Sequence, residues 1–168
     1  HFGGDENGRF SESSLAAAGV DVSTCRSLPG TKNQFAIIVV DRHSGQRTIM
    51  WQRDPSLRMR AADVEAESVT AGRVLLVDCA ETEAAIEAAR LARRAGIPSV
   101  IDVERVRPKI ETLLGEVDVI IAAQAFPSAF TGVADLGRAM HELASRFDAA
   151  LTGVTLGADG SLAIVDGQ

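Results

Sequence analysis

Apolar residues in this chain fall into short runs, separated by stretches in which charged and small residues alternate at helical spacing. Phe35-Ala36-Ile37-Ile38-Val39-Val40 is a β-branched run suited to a strand, and Arg47-Thr48-Ile49-Met50-Trp51 is a second. The turn residues Asp41 to Gly45 between them predict a hairpin. Farther along, Val74-Leu75-Leu76-Val77 is continuously apolar, as in a parallel sheet covered on both faces. A helix over Glu81–Ala95 follows: acidic residues crowd its start, Arg93 and Arg94 its end, and Gly96 and Pro98 stop it. Glu87 and Arg90 are spaced to pair on its solvent face. Ser99-Val100-Ile101 is the next strand, so 73–103 forms one right-handed crossover unit. The pattern continues with a helix near Pro108–Leu114, a strand at Val117–Ala122, a helix over Ala134–Arg146 and a strand at Ala149–Thr155. The turn Gly157-Ala158-Asp159-Gly160 then leads to a returning strand, Ser161–Val165. At the other end, the turn-rich Gly3–Gly8 precedes a helix over Arg9–Ala18 that Gly19 terminates. The alternation predicts an α/β fold: a three-layer, Rossmann-like parallel sheet with helices on both faces and a projecting β-hairpin.

Composition narrows the function. With 168 residues the chain supports one domain with a real core, and 46% hydrophobic residues exclude a disordered acidic tail. A net charge of −6 argues against nucleic acid or an anionic membrane as the main partner. Cys25 and Cys79 match no metal-ligand spacing and read as free thiols of a reducing compartment. No apolar run is long enough to span a membrane, and no charged-then-apolar leader is visible, so a cytoplasmic location is expected. The chain starts at His1, and its first residues already read as the middle of something.

In open α/β sheets ligands bind beyond the carboxyl ends of the strands. The residues placed there are Asp78, Asp102 with Glu104, Gln124, and the loop after Thr155. Carboxylates at two strand ends suit a sugar hydroxyl or a metal-bound phosphate, although Asp78 serves equally as a helix N-cap. Thr155-Leu156-Gly157-Ala158-Asp159-Gly160 offers a hydroxyl and backbone N–H groups with little steric cover, which suits phosphate. Composition alone favours a plain Asp-Gly hairpin turn there. His43 and His141 have no partner at ligand spacing, and Arg53, Arg58 and Arg60 read as a solvated basic face.

Taken together, these segments resemble the ribokinase-like (PfkB-type) carbohydrate kinases. Gly4-Asp5-Glu6-Asn7-Gly8 with Ala18-Gly19-Val20-Asp21 looks like that family's G-D-x-x-G…G-V-D segment. Thr31, Asp41, Gly45, Arg47 and Thr48 look like its lid hairpin. Ala95-Gly96-Ile97-Pro98-Ser99-Val100-Ile101-Asp102 resembles its crossover strand, and Thr155-Leu156-Gly157-Ala158-Asp159-Gly160-Ser161 its nucleotide loop. The resemblance covers essentially the whole chain, with residues 1–30 and 54–168 as core and 31–53 as lid. It implies ATP-dependent phosphorylation of a sugar hydroxyl with magnesium. Thr155, Gly157 and Gly160 would contact ATP, and Asp78 the sugar. Asp102, Glu104 and Gln124 are the phosphate or metal candidates. The partners implied are a small-molecule sugar and ATP, with a homodimer formed through paired lids.

Two departures stand out. Where the family commonly carries N-x-x-E, this chain has Ala123 and Phe126, so its metal handling is altered and Gln124 is a weak substitute. The family's G-A-G-D segment, with its aspartate base, is absent from the 168 residues, as is the N-terminal sugar-binding G-G segment. The chain is therefore read as an internal portion of such a kinase, without a catalytic base and inactive alone. The alternatives are a nucleoside kinase of the same fold, which the 4% aromatic content supports poorly, and a non-catalytic binding or regulatory protein.

Overall fold

The computed structural model describes residues 1–165, and the chain divides into two compact units, His1–Met59 and Arg60–Gln168.

The first unit opens with β1 (Phe2–Gly3), which pairs in parallel with β2 (Ser27–Leu28), and α1 (Glu6–Ala17) lies between them. The helix starts three residues earlier than the sequence suggests. Asp5 is its N-cap, accepting from the Gly8 N–H at 2.9 Å. The other Asp5 oxygen accepts from Asn33 N–H at 3.2 Å, and Asn33 Oδ1 accepts from Gly3 N–H at 2.9 Å. A helical glycine is unfavourable by about 1 kcal/mol relative to alanine, but Gly8 has no alternative. A Cβ there would lie 1.8 Å from the Gly3 carbonyl oxygen. The expected hairpin forms as β3 (Phe35–Val40) and β4 (Arg47–Gln52), in register from Phe35↔Gln52 to Val40↔Arg47. Its turn is closed by Asp41 N–H to Gln46 O at 2.8 Å and by Gly45 at φ 69°. The Ser44 hydroxyl and the His43 N–H hold the Asp41 carboxyl below its ordinary range. Every residue of both strands is exposed.

The second unit is the sheet. Strands β5 (Leu75–Asp78), β6 (Ser99–Val103), β7 (Val119–Ala123) and β8 (Leu151–Thr155) run parallel in that spatial order. β9 (Ser161–Val165) closes the edge antiparallel to β8. Connections are α3 (Thr82–Ala95), α4 (Ile110–Leu114), and the pair α5 (Phe126–Thr131) and α6 (Leu136–Arg146), with the short α2 (Ala66–Thr70) packed on α3. Because the strands follow one another in a single direction, right-handed crossovers put these helices on one face. Side-chain alternation agrees. Ile101, Val103, Ile120, Ala122 and Val154 are buried against that helical layer, whereas Leu76 on the opposite face is 70% exposed.

The α/β class with a parallel-dominated sheet is thus observed. Of the two helical layers expected, the described residues of this unit supply one. Nor is β5 covered on both faces, as its apolar run suggests, since it forms the sheet edge and Val74 and Leu76 are exposed. The expected Glu87–Arg90 pair does not form either. Arg90 and Arg93 both hold Glu116 of the loop before β7, at 2.9 and 3.3 Å, and Glu87 pairs with Arg94 instead. Tertiary partners outcompete an exposed pair on one helix, which contributes only about 0.5 kcal/mol. At the amino edge of the sheet Asp118 accepts from both the N–H and the hydroxyl of Ser99, at 2.7 and 2.8 Å. Ser99 is fully buried, so this carboxylate satisfies donors that would otherwise be stranded. Both cysteines are free, Cys25 exposed and Cys79 buried. Among the described residues no helix is long and apolar enough to cross a membrane.

Candidate functional site

The carboxyl ends of β5 to β8 bring the predicted residues to one edge of the sheet. Asp78 ends β5, and its register partner on β6 is Asp102, so the two carboxylates stand abreast on the uncovered face. Asp78 accepts from Ala80 N–H at 2.8 Å and does not cap α3, whose N-cap position is Glu81. Glu104 follows β6 directly. Asp102 and Glu104 are exposed, and among the described residues neither has a hydrogen-bond or ion-pair partner. Gln124 lies exposed in the turn between β7 and α5. Thr155 ends β8, exposed, beside Ala123 on β7 and Ser161 on β9.

The loop after Thr155 is a tight connection between antiparallel strands, closed by Leu156 N–H to Gly160 O at 2.8 Å. Gly157 at φ 63° and Gly160 at φ 89° hold backbone conformations that side chains disfavour. A Cβ at either would meet nothing within 4 Å. Glycine is therefore required by the turn itself, and the open space around it leaves the loop approachable.

Ala123 and Phe126 differ from each other in kind. Ala123 is half-buried at the strand end, whereas Phe126 is fully buried at the start of α5. Its ring stacks on Phe130 with centroids 5.5 Å apart, and Phe130 in turn contacts Phe147 at 6.0 Å and lies 5.4 Å below the Arg146 guanidinium. This position belongs to the core. The α5 helix itself escaped the sequence reading, although Pro127 in its first turn and Gly132 at φ 78° after it are boundary signals.

Spacing sets the scale of the edge. Strands lie about 4.8 Å apart, so Asp78 and Thr155, three strands from each other, are separated by roughly 14 Å. That leaves room for a hydroxyl-bearing ligand at one end and a phosphate chain at the other. Among the described residues no group of three His, Cys, Asp or Glu side chains could hold a metal alone. A magnesium ion carried in on nucleotide phosphates asks less, since it takes only one or two protein carboxylates. Asp102 and Glu104 fit that role.

A parallel-dominated sheet with carboxylates at one end of its carboxyl edge and a glycine-turn loop at the other is a ribokinase-like α/β arrangement. The chain belongs to the pfkB family of carbohydrate kinases, which matches residues 1–168. Its structure is similar to that of a protein assigned as a ribokinase from Agrobacterium tumefaciens (TM-score 0.88, 24% identity, 99% of this chain and 55% of that one). It is also similar to adenosine kinase from Sinorhizobium meliloti (0.84, 22%, 100% and 55%). Arabidopsis thaliana ribokinase complexed with ribose and ATP is similar too (0.77, 20%, 99% and 57%). At these identities the likeness shows the fold. The chain spans a little over half the length of these structures. No curated protein matches it.

Proposed function

We propose that this chain is part of an ATP-dependent kinase that phosphorylates a sugar hydroxyl. The observation that carries the reading is the placement of the Thr155–Gly160 loop on the same sheet edge as Asp78 and Asp102, in a chain of the pfkB family. Thr155 and the backbone N–H groups around Gly157 and Gly160 hold nucleotide phosphates. Asp78 accepts a hydrogen bond from the sugar. Asp102 and Glu104, with Gln124 near them, would hold a magnesium ion, which neutralises phosphate charge. Exclusion of water from the acceptor keeps ATP from hydrolysis. The 168 residues contain no G-A-G-D sequence.

The test is phosphotransfer by the complete protein with ATP and magnesium across a panel of monosaccharides and nucleosides. Turnover of one or more sugars is expected, and none from residues 1–168 alone. Turnover of nucleosides only, or of nothing, would overturn the sugar-kinase reading. Phe126 favours one second reading, a non-catalytic relative, because it puts core packing where the family commonly has an acid. Nucleotide binding without turnover by the complete protein would support it.

The same reading assigns the hairpin a role. Phe35, Ile37, Val39 and Met50 form one exposed face, and Ala36, Ile38, Ile49 and Trp51 the other. A two-stranded ribbon with apolar residues on both faces is marginal alone in water. One of these faces meets the hairpin of a second copy. Trp51→Glu is therefore expected to shift the complete protein from dimer to monomer in sedimentation velocity. A wild-type protein that is monomeric at micromolar concentration would refute the assignment.

A further inference from the structure

We propose that Arg105 and Arg107, on the loop between β6 and α4, bind the terminal phosphate of the nucleotide. This inference rests on the kinase reading for the identity of the anion, but not for the existence of the anion site.

Four observations support it. First, the arginines of α3 and the last arginine of α6 are in use. Arg90 and Arg93 hold Glu116, Arg94 holds Glu87, and Arg146 holds Glu142. Arg105 and Arg107, at the carboxyl end, are exposed and have no hydrogen-bond or ion-pair partner among the described residues. Second, the loop is held at both ends. It leaves β6 at Val103, and it enters α4 through Lys109, which pairs with Glu83 of α3. The Lys109 hydrogen bond, and then its charge, keep the Glu83 carboxyl below its ordinary range. Lys109 sits at φ 64°, the only non-glycine residue with positive φ among those described. Such a conformation costs on the order of 1 kcal/mol and persists only where surrounding contacts enforce it. Third, β6 lies two strands from β8, so the loop and Thr155 flank the end of β7 at a separation of about 10 Å. The β7 end offers only the small Ala123 and the exposed Gln124, and Phe126 beyond them is core. Phosphate bridging that gap meets no polar group from the positions where the family commonly has N-x-x-E. The guanidiniums next door supply the missing charge and planar donor pairs. Fourth, on the kinase reading a transferred phosphoryl group passes between the carboxylates of β5 and β6 and the loop after β8. Charge developing on its oxygens is stabilised by fixed cations. Asp102 and Glu104 share this edge and oppose a bare anion, so the phosphate is expected to bind with magnesium.

The experiment uses the complete protein and the variant Arg105→Gln/Arg107→Gln, with Arg105→Lys/Arg107→Lys and the α3 variant Arg94→Gln beside it. Calorimetry with magnesium tripolyphosphate and with adenosine separates phosphate binding from nucleoside binding. The glutamine variant is expected to weaken tripolyphosphate by about tenfold or more, the scale of one or two charge-assisted hydrogen bonds. Adenosine binding and the melting temperature stay unchanged, the lysine variant recovers part of the loss, and Arg94→Gln loses nothing. In phosphotransfer kcat/KM for ATP falls, while KM for the sugar holds. Unchanged tripolyphosphate binding, or an equal loss of adenosine binding, overturns the proposal. So does a defect confined to a phosphorylated acceptor, which would place the arginines on the acceptor. If the wild-type protein phosphorylates nothing yet binds tripolyphosphate in an arginine-dependent way, the kinase reading fails and the anion site stands.

Discussion

Replacing Phe126 by alanine is expected to destabilise the α/β unit by about 3–5 kcal/mol, the range for removing a buried aromatic ring. Phe126 is fully buried in the cluster formed by α3, α4, α6 and the helical face of the sheet. It also anchors the Phe130–Phe147 contact, with the Arg146 guanidinium above Phe130. The cavity has few ways to collapse, because Leu143, Ile120 and Ala122 around it already sit on paired or helical backbone. Urea denaturation followed by far-ultraviolet circular dichroism measures the loss. A companion variant is more informative. Ala123→Asn/Phe126→Glu restores the family's N-x-x-E, and sequence comparison alone would forecast better metal handling. The structure forecasts the opposite, since a carboxylate in that core is unpaired and desolvated. This variant is expected to be less stable than Phe126→Ala, with no gain in magnesium dependence. A folded variant with improved turnover would show that the start of α5 can re-form around a polar side chain.

Gly8→Ala is the second large effect, and its sign is what tests the structure. Within a helix, Gly→Ala normally stabilises by about 1 kcal/mol. Here the new Cβ would meet the Gly3 carbonyl oxygen at 1.8 Å and its carbonyl carbon at 2.7 Å. Backbone must move, which would break the Asp5–Gly8 cap or the Gly3–Asn33 bond. A loss on the order of 3 kcal/mol, or local unfolding of α1, is expected. Amide exchange of α1 reports the local form, and thermal melting the global one. Gly19→Ala is the control, because its φ of 84° gives strain but nothing lies within 4 Å of a Cβ. Stabilisation by Gly8→Ala would mean that α1 and Gly3 do not pack as described.

Much of the sheet was legible because its signals are local. Runs such as Ser161–Val165 and Phe35–Val40 coincide with the strands, and Gly96 at φ 69° ends α3 where the sequence places the stop. The elements that escaped are those whose cause lies elsewhere in the chain. β1 and β2 have two residues each, too few for any periodicity, and exist through their pairing. The α1 start was hidden by Gly8, a loop signal that becomes helical through its contact with Gly3. The Ser99–Asp118 bonds span 19 residues, and nothing in the spacing announces them.

The candidate site divides in the same way. By itself the sequence determined which strands end in Asp78, Asp102 and Thr155, and that Gly157 and Gly160 form a turn, because strand runs and glycine turns follow from neighbouring residues. Only the tertiary structure decided that Asp78 and Asp102 stand abreast, that Phe126 is core, and that Arg105 and Arg107 are left without partners while Arg90 and Arg93 are not. Register, burial and ion-pair choice depend on residues far apart in sequence, so they are settled only when the strands and helices pack.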